Sequence, residues 1–129
     1  MKLLLDTHVW LWMQAAPKRI EARAAELITD STNEVLLSAA SAWEIAIKYA
    51  LGRLALPVPP SDYVPSRMVR SGTRGLVIEH RHALQVSSLP PHHSDPFDRL
   101  LIAQAQLDGA ILITADRKLG AYDVPLLVI

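Results

Sequence analysis

Five acidic side chains of this sequence lie beside apolar stretches: Asp6, Glu44, Asp95, Asp98 and Asp116. If such groups gathered, each pair about 5 Å apart would repel by roughly 3 kcal/mol at an effective dielectric constant near 20. Some would then bind protons unless cations neutralised them. Oxygen donors suit hard ions such as Mg²⁺ or Mn²⁺, and carboxylate clusters that hold these ions support in-line phosphoryl chemistry. One ion activates water and, where a second is bound, that ion stabilises the leaving oxygen.

Five short apolar runs indicate the strands that would position these acids. None alternates polar and apolar residues, so both faces of each strand are expected to be covered, as in a parallel sheet flanked by helices. The runs are residues 3–5, 35–37, 76–78, 111–113 and 126–129.

Helical segments are predicted between the strands. Ser38 and Asp95 suit N-caps, Pro96 suits a first turn, and Gly52 and Gly109 are expected to end helices. The predicted helices cover residues 9–14, 18–29, 39–51, 66–71 and 96–108, and residues 56–65 form a proline-rich connection. Strands that alternate with helices predict a single three-layer α/β domain over residues 1–129.

This order of elements places four of the acids at one edge of the sheet. Asp6 directly follows the first strand, and Asp116 comes three residues after the fourth. Glu44 lies about two turns into the helix after the second strand, and Asp98 begins the helix that leads into the fourth. Ligands of open α/β sheets bind beyond the carboxyl ends of the strands, near a switch in strand order. The four carboxylates are therefore expected to converge there.

Each acid also has an ordinary structural explanation. Asp95 suits an N-cap, and Asp98 a favourable position on the dipole of the same helix. Glu44 could pair with Lys48 one turn further on. Asp116 could cap a short helix, and Asp6 could be an ordinary turn residue before Thr7. The shared edge, rather than any single position, favours a cluster.

The composition excludes several kinds of chemistry. The 129 residues contain no cysteine, which rules out disulfides, thiolate zinc sites and cysteine nucleophiles. Asp6 and His8 interrupt the apolar N-terminal segment, which is therefore not typical of a signal peptide, and no apolar span reaches transmembrane length. We expect a cytoplasmic protein with no membrane partner.

Four segments, in this order along the chain, resemble the PIN-domain ribonucleases, and most closely the VapC-like toxins of bacterial toxin–antitoxin pairs. They are LLDTHVWLW, SAASAWEIAIK, HHSDPFDRLLIAQA and LITAD, and the likeness extends from residue 4 to residue 129. The resemblance implies a PIN-like α/β/α domain with a central, mainly parallel sheet. It also implies an endoribonuclease that uses Mg²⁺, or Mn²⁺ in its place, to activate water, works as a homodimer and is silenced by a small antitoxin.

The resemblance carries over to individual positions. Four acids match the quartet that binds metal and orients the attacking water in this family: Asp6, Glu44, Asp98 and Asp116. Asp95 matches a further acid of this branch and is a candidate for metal contact. Thr114 matches a hydroxyl beside the last acid, where it could bond a carboxylate or a water on the metal. Leu119 departs from the aromatic residue that many relatives carry, which we interpret as a variation in packing.

The charge balance leaves room for contacts with phosphate. The 13 basic and 13 acidic residues cancel over the whole chain, but without the quartet the 13 basic residues face 9 acids. A mildly basic body around a metal-filled cleft could hold an RNA backbone. The candidates, any of which could equally belong to a solvated helix face, are Lys48, Arg53, Arg67, Arg70, Arg74 and Arg99.

The histidines and tryptophans are assigned less direct roles. We expect surface or capping positions for the histidines, among them His82 and His93, although His8 could approach the acidic site. Trp10 and Trp12 are expected on nearly opposite sides of a short helix, mainly in core packing, with one partly exposed for a dimer or antitoxin contact.

A catalytically silent PIN fold that binds RNA or protein is the alternative to an enzyme. Two other Mg²⁺-dependent classes fit less well. A haloacid-dehalogenase-type phosphatase needs a second aspartate where this chain has His8, and a response-regulator receiver needs a phosphoacceptor aspartate where this chain has Glu79 and His80.

Overall fold

The computed structural model describes residues 1–129 and contains one sheet of five strands. The strands are Lys2–Leu5 (β1), Glu34–Ser38 (β2), Arg74–Leu76 (β3), Ile111–Thr114 (β4) and Leu126–Val128 (β5). They lie in the order β3-β2-β1-β4-β5, and every neighbouring pair is parallel. In this register Leu4 of β1 lies opposite Leu36 of β2 and Leu112 of β4.

Both faces of the sheet are covered, which explains why its strands are apolar without alternation. Leu3 and Leu5 point into one core cluster and Leu4 into a second on the opposite face, and all three are fully buried. The three-layer α/β/α architecture predicted from the sequence is therefore confirmed, with a sheet that is wholly parallel.

Six α-helices connect the strands: Thr7–Ala15 (α1), Ala22–Thr29 (α2), Ala39–Ala50 (α3), Pro60–Ser71 (α4), His80–Gln85 (α5) and Pro96–Asp108 (α6). Helices α1, α2 and α4 pack on the face that carries Leu3, and α6 packs on the face that carries Leu4. Helix α3 contributes Ile45 to the first cluster and Ala40 to the second. None of the helices combines the length and apolarity needed to cross a bilayer.

The predicted helix caps are present. Ser38 Oγ accepts the N–H of Ala40 at 3.0 Å, and Asp95 Oδ1 accepts the N–H of Phe97 at 2.8 Å. Helix α6 ends at Gly109, whose φ of +65° is the left-handed conformation that follows many helices. These local signals fix both ends of the helix that carries Asp98.

Helix α4 begins earlier than predicted. It starts at Pro60 rather than at residue 66, and the proline-rich connection is correspondingly shorter. A proline in the first helical position loses no hydrogen bond, so it favours this start rather than preventing it. The added turn buries Tyr63 and Val64 against the sheet.

Two further boundaries differ from the prediction. Strand β3 spans Arg74–Leu76 rather than residues 76–78, because Leu76 is the last residue that pairs with β2, and Val77 and Ile78 are exposed. The helix predicted over residues 18–29 is divided into a 3₁₀ turn, Pro17–Arg19, and α2. Helix α5 lies in a stretch for which the sequence pattern predicted no helix.

The two tryptophans of α1 lie in different surroundings, as predicted. Trp10 is fully buried, and its Nε1–H donates to Thr73 Oγ1 at 3.1 Å, which ties α1 to the residue before β3. Trp12 is partly exposed, and the guanidinium carbon of Arg19 lies 4.2 Å from its ring centroid. Trp10 therefore belongs to the core.

Replacing Gly109 with alanine is expected to lower the free energy of unfolding by about 1 kcal/mol, because its left-handed backbone disfavours a Cβ even where no atom obstructs one. Gly120→Ala is the matched control: its φ lies outside that region, and the nearest atom to the added Cβ is 4.0 Å away. Denaturant unfolding of both variants and the parent measures the difference. Equal stability of the two variants would show that the left-handed backbone at residue 109 does not require glycine.

Candidate active site

The strand order reverses between β1 and β4, with β2 and β3 on one side and β5 on the other. Asp6 directly follows β1, and its N–H donates to the Ile113 carbonyl of β4 at 2.9 Å. Thr114, the last residue of β4, donates its hydroxyl to Asp6 Oδ2 at 2.7 Å and accepts the N–H of Asp116 at 3.0 Å. The Thr114 hydroxyl thus bonds a carboxylate, and it joins Asp6 and Asp116 across the switch point at which open sheets bind ligands.

Glu44 approaches this edge from α3. Its side chain is buried, and its Oε2 lies 2.7 Å from Lys48 Nζ, so the pair considered as an alternative explanation is present. A hydrogen bond of 2.8 Å between the hydroxyls of Thr7 and Ser41 holds α1 against α3. The charge of Glu44 also contributes to the raised pKa of Asp6, so the ion pair does not remove Glu44 from the site.

The carboxylates of the quartet act on one another through their charges. Burial raises the pKa of Asp6, although the hydrogen bond from Thr114 opposes that shift. Burial is also the largest cause that raises the pKa of Asp98 to about 7, followed by the negative charges of Asp6 and Asp95, with a smaller contribution from Glu44. The structure therefore brings Asp6, Glu44 and Asp98 into one electrostatic environment.

His93 lies between two of the acids. Its Nε2 is 3.3 Å from Asp98 Oδ2 and 3.1 Å from Asp116 Oδ2, and its Nδ1 accepts the N–H of Asp95 at 3.1 Å. A neutral ring whose Nδ1 accepts a hydrogen bond carries its proton on Nε2, so His93 donates toward both carboxylates. The capping part of the prediction for His93 is confirmed, because His93 accepts the N–H of Asp95, the cap residue of α6. The sequence prediction did not include its contacts with Asp98 and Asp116.

The pKa of Asp116 is shifted in the direction opposite to that of Asp98. Partial burial alone would raise the pKa of Asp116, but hydrogen bonds from the Lys118 N–H and from His93 lower that pKa below its ordinary range. Two neighbouring carboxylates are therefore held with different tendencies to ionise, a pattern typical of catalytic acid pairs.

Asp95 holds the beginning of α6. Its Oδ1 accepts the N–H groups of Phe97 and Asp98, at 2.8 and 3.3 Å. This cap explains why an aspartate is favourable at position 95. Its negative charge also helps to raise the pKa of Asp98. Its direct contact with a metal stays a prediction.

His82 is the second histidine whose surroundings differ from a surface position. It is fully buried, its Nδ1 accepts the Glu79 N–H at 3.0 Å, and its Nε2 lies 3.1 Å from Asp108 Oδ2. The capping part of the prediction is confirmed, because His82 completes a capping box with Glu79 at the start of α5. His8 is exposed.

Arg99, one of the residues predicted to bind RNA, braces the loop before α6. Its guanidinium donates to the carbonyls of Val86 and Pro90, at 3.1 and 2.9 Å, and to Tyr122 Oη at 3.1 Å. These contacts favour a structural role over the predicted contact with RNA. The other predicted RNA contacts are exposed or partly exposed: Lys48, Arg53, Arg67, Arg70 and Arg74.

The donor set of the site fits a hard divalent cation. Donor atoms of His93, Asp98 and Asp116 lie within 4.8 Å of one another, whereas Asp6 and Glu44 lie outside this close group and act on Asp98 through their charges. Burial is the largest cause that raises the pKa of Asp6 and of Asp98, and neighbouring negative charges raise both further, so a bound cation would favour the ionised carboxylates. None of the four cavities of the protein is lined by a quartet residue. Asp6 and Glu44 are buried, whereas the side chains of Asp98 and Asp116 keep 17% and 35% exposure, so the cluster is reached from the side of these two aspartates.

Known proteins share this sequence pattern. A family model described as PIN domain matches residues 3–125. Ribonuclease VapC22 of Mycobacterium tuberculosis (strain ATCC 25618 / H37Rv) is 31% identical over 124 residues, which cover 95% of this chain and 93% of that protein. Ribonuclease VapC16 of the same strain is 55% identical over 62 residues, so that alignment covers 48% of this chain and 43% of that protein.

Solved structures share the fold at low sequence identity. VapBC2 from Rickettsia felis, bound to a DNA fragment from its promoter, gives a TM-score of 0.75 at 14% identity, over 99% of this chain and 98% of the matched chain. FitAcB from Neisseria gonorrhoeae gives a TM-score of 0.64 at 22% identity, over 97% of this chain and 96% of the matched chain. VapBC-1 from nontypeable Haemophilus influenzae gives a TM-score of 0.63 at 18% identity, over 99% of this chain and 98% of the matched chain. Because the family model spans nearly the whole sequence and VapC22 aligns with 95% of it, the chain belongs to the PIN-domain family.

Proposed function

We propose that this PIN-domain protein is an endoribonuclease that hydrolyses RNA phosphodiester bonds and depends on Mg²⁺, with Mn²⁺ able to replace it. One observation carries the proposal: the donor atoms of Asp98, Asp116 and His93 lie within 4.8 Å of one another, and burial together with the charges of Asp6, Asp95 and Glu44 raises the pKa of Asp98 to about 7. VapC16 and VapC22 are named ribonucleases, which supports RNA as the substrate.

The quartet would hold the cation through the carboxylates of Asp6, Glu44, Asp98 and Asp116. When bound, a divalent cation supplies Lewis-acid charge for the attacking and leaving oxygens of a phosphodiester. Thr114 orients Asp6 by donating to Oδ2, and Lys48 orients Glu44 by pairing with Oε2. We expect products with a 3′-hydroxyl and a 5′-phosphate.

His93 would keep Asp98 and Asp116 oriented toward one another. Its ring is fixed because Nδ1 accepts the Asp95 N–H, and its Nε2–H faces both carboxylates. These contacts make His93 a positioning residue of the proposed site.

The protein would act in the cytoplasm as the toxin of a toxin–antitoxin pair, as a homodimer that a small antitoxin protein silences. Support comes from relatives that are named VapC and from the shared fold with VapBC2 and VapBC-1. A reading frame for a small DNA-binding protein immediately upstream, whose product copurifies with this chain, would support the pairing. A solitary reading frame would favour a housekeeping nuclease.

Asp6→Asn and Asp98→Asn are each expected to lower RNA cleavage by about 10²–10³-fold, because each removes a charged ligand from the cation site. The assay incubates antitoxin-free protein with a pool of single-stranded RNA, with Mg²⁺ or with EDTA, and resolves the products on a denaturing gel. Asp123→Asn is the matched control, since Asp123 is an exposed aspartate outside the quartet, and its cleavage should equal that of the parent.

Cleavage that persists equally in both quartet variants would indicate a contaminating nuclease and would remove the basis of the proposal. A parent protein that binds RNA but cuts none with Mg²⁺ would favour the catalytically silent PIN fold.

The metal-free protein is expected to lose stability as pH rises. Because the pKa of Asp98 is about 7 in the folded state and ordinary in the unfolded chain, the folded state binds the proton more tightly. The stabilisation is complete below about pH 4 and is lost as pH rises through about 7. Thermal unfolding in EDTA should therefore show a Tm that falls by a few degrees between about pH 5 and pH 8. Mg²⁺ should restore the Tm mainly at the upper end of that range.

Asp98→Asn should flatten the decline in Tm, whereas Asp123→Asn should keep it. If the metal-free parent were instead more stable at pH 8 than at pH 5, or if Mg²⁺ raised the Tm equally at both, the assignment of the crowded carboxylates as a cation site would be wrong.

A further inference from the structure

Trp43 is an exposed aromatic residue beside the acidic cluster. It precedes Glu44 on α3, yet 60% of its surface is accessible. It is the one aromatic residue among the large hydrophobic side chains that are exposed. Because burying a tryptophan is strongly favourable, its position at the surface needs an explanation other than core packing.

Phe97 holds the Trp43 ring from one side. The two ring centroids are 5.4 Å apart and the planes meet at 73°, an edge-to-face contact. Phe97 is itself fixed, because its N–H donates to Asp95 Oδ1 and its ring packs against the core cluster of α6. Since Phe97 immediately precedes Asp98, the pair links the helix that carries Glu44 to the helix that carries Asp98.

The exposed residues that flank Trp43 on α3 are small: Ala39 and Ala46. Two shallow apolar cavities lie along the same helix, one lined by Ala42 and Val77 and the other by Ala42 and Ala46. Trp43 lines neither cavity and is 60% exposed, so a flat group can reach its ring from solvent.

Two basic side chains on the Glu44 and Asp98 side of the cluster are engaged by protein groups: Lys48 pairs with Glu44, and Arg99 donates to backbone carbonyls and to Tyr122. The cations beside Asp116, Arg117 and Lys118, are exposed and can meet phosphates. On the Trp43 side, attachment of an RNA strand is therefore better served by an interaction that does not depend on phosphate charge. Stacking of a nucleobase on an aromatic ring is such an interaction, and it serves single-stranded RNA with little dependence on sequence.

We infer that Trp43 is a stacking platform for a nucleobase of single-stranded RNA next to the phosphate that the quartet addresses, with Phe97 as its support. This inference rests on the proposed ribonuclease function and adds the residue that positions the strand. Alanine substitution of a base-stacking aromatic residue typically costs about 5- to 150-fold per base.

The test combines removal of the ring with removal of the base. A cut site is first mapped in a randomised single-stranded RNA pool, and a 12-nucleotide RNA that spans it is then made with an abasic residue at each position in turn. The kcat/KM in Mg²⁺ is measured for the parent, Trp43→Ala and Trp43→Phe. Leu84→Ala is the matched control, because Leu84 is 72% exposed on α5 and away from the quartet.

Trp43→Ala should lower kcat/KM about tenfold on the intact RNA, Trp43→Phe should retain most of the activity, and Leu84→Ala should match the parent. Removing one particular base from the RNA should lower kcat/KM of the parent by a similar factor. The same abasic RNA should not lower kcat/KM of Trp43→Ala any further, since the ring and the base make the same contact. A purely structural role of Trp43 would leave the two losses additive at every position.

Three outcomes would overturn the inference while leaving the nuclease intact: Trp43→Ala within twofold of the parent, additive losses throughout, or unchanged kcat/KM with a changed molecular mass on gel filtration. The last would assign Trp43 to an interface between copies or with a protein partner. If the parent cuts no RNA in Mg²⁺, the proposed function itself fails, and the stacking role fails with it.

Discussion

Carboxylates that meet where β1 and β4 end repel one another, and the surrounding residues reduce the cost of that repulsion one acid at a time. Thr114 donates to Asp6, and Lys48 pairs with Glu44. His93 donates toward Asp98 and Asp116. These groups do not offset the whole cost, because burial and, after it, the charges of Asp6 and Asp95 still raise the pKa of Asp98 to about 7. A bound divalent cation would favour the ionised form of such a carboxylate.

The fold imposes this crowding. All five strands are parallel and buried on both faces, so their polar flanking residues collect at the strand ends. The reversal of strand order at β1 and β4 opens the crevice in which Asp6, Thr114 and Asp116 meet. Helices α3 and α6 then bring Glu44 and Asp98 to the same edge, α6 beginning at a cap made by Asp95. The architecture that stabilises the core thus also concentrates the charge.

The sequence predicted those features that depend on local pattern. Apolar runs without alternation indicated the covered sheet, and Ser38, Asp95 and Gly109 marked helix ends because caps depend on near neighbours. The shared edge of the four acids was predicted from their positions relative to alternating strands and helices. The predicted start of α4 was wrong because the prolines before residue 66 were interpreted as a connection outside the helix. Proline is also favourable in the first turn of a helix.

Contacts between distant residues could not be predicted in the same way. His93 and Asp116 are 23 positions apart, and nothing in either residue type specifies that their side chains meet. Arg99 carries a charge suited to phosphate, and only its position beside the loop carbonyls shows that those groups engage it. Trp43 lies in a helical pattern in which an aromatic residue ordinarily belongs to the core, so its exposure could not be predicted from the sequence.

We expect this cluster to bind protons in the absence of a divalent cation and to release them when one is bound. Carboxyl ¹³C NMR of aspartate-labelled protein, titrated with pH in EDTA and again in saturating Mg²⁺, measures this directly. We predict that one quartet aspartate titrates near pH 7 without metal, in keeping with the pKa of about 7 for Asp98, and titrates well below pH 5 with Mg²⁺. Ordinary aspartate titrations under both conditions, with no response to Mg²⁺, would show that these carboxylates do not form a cation site.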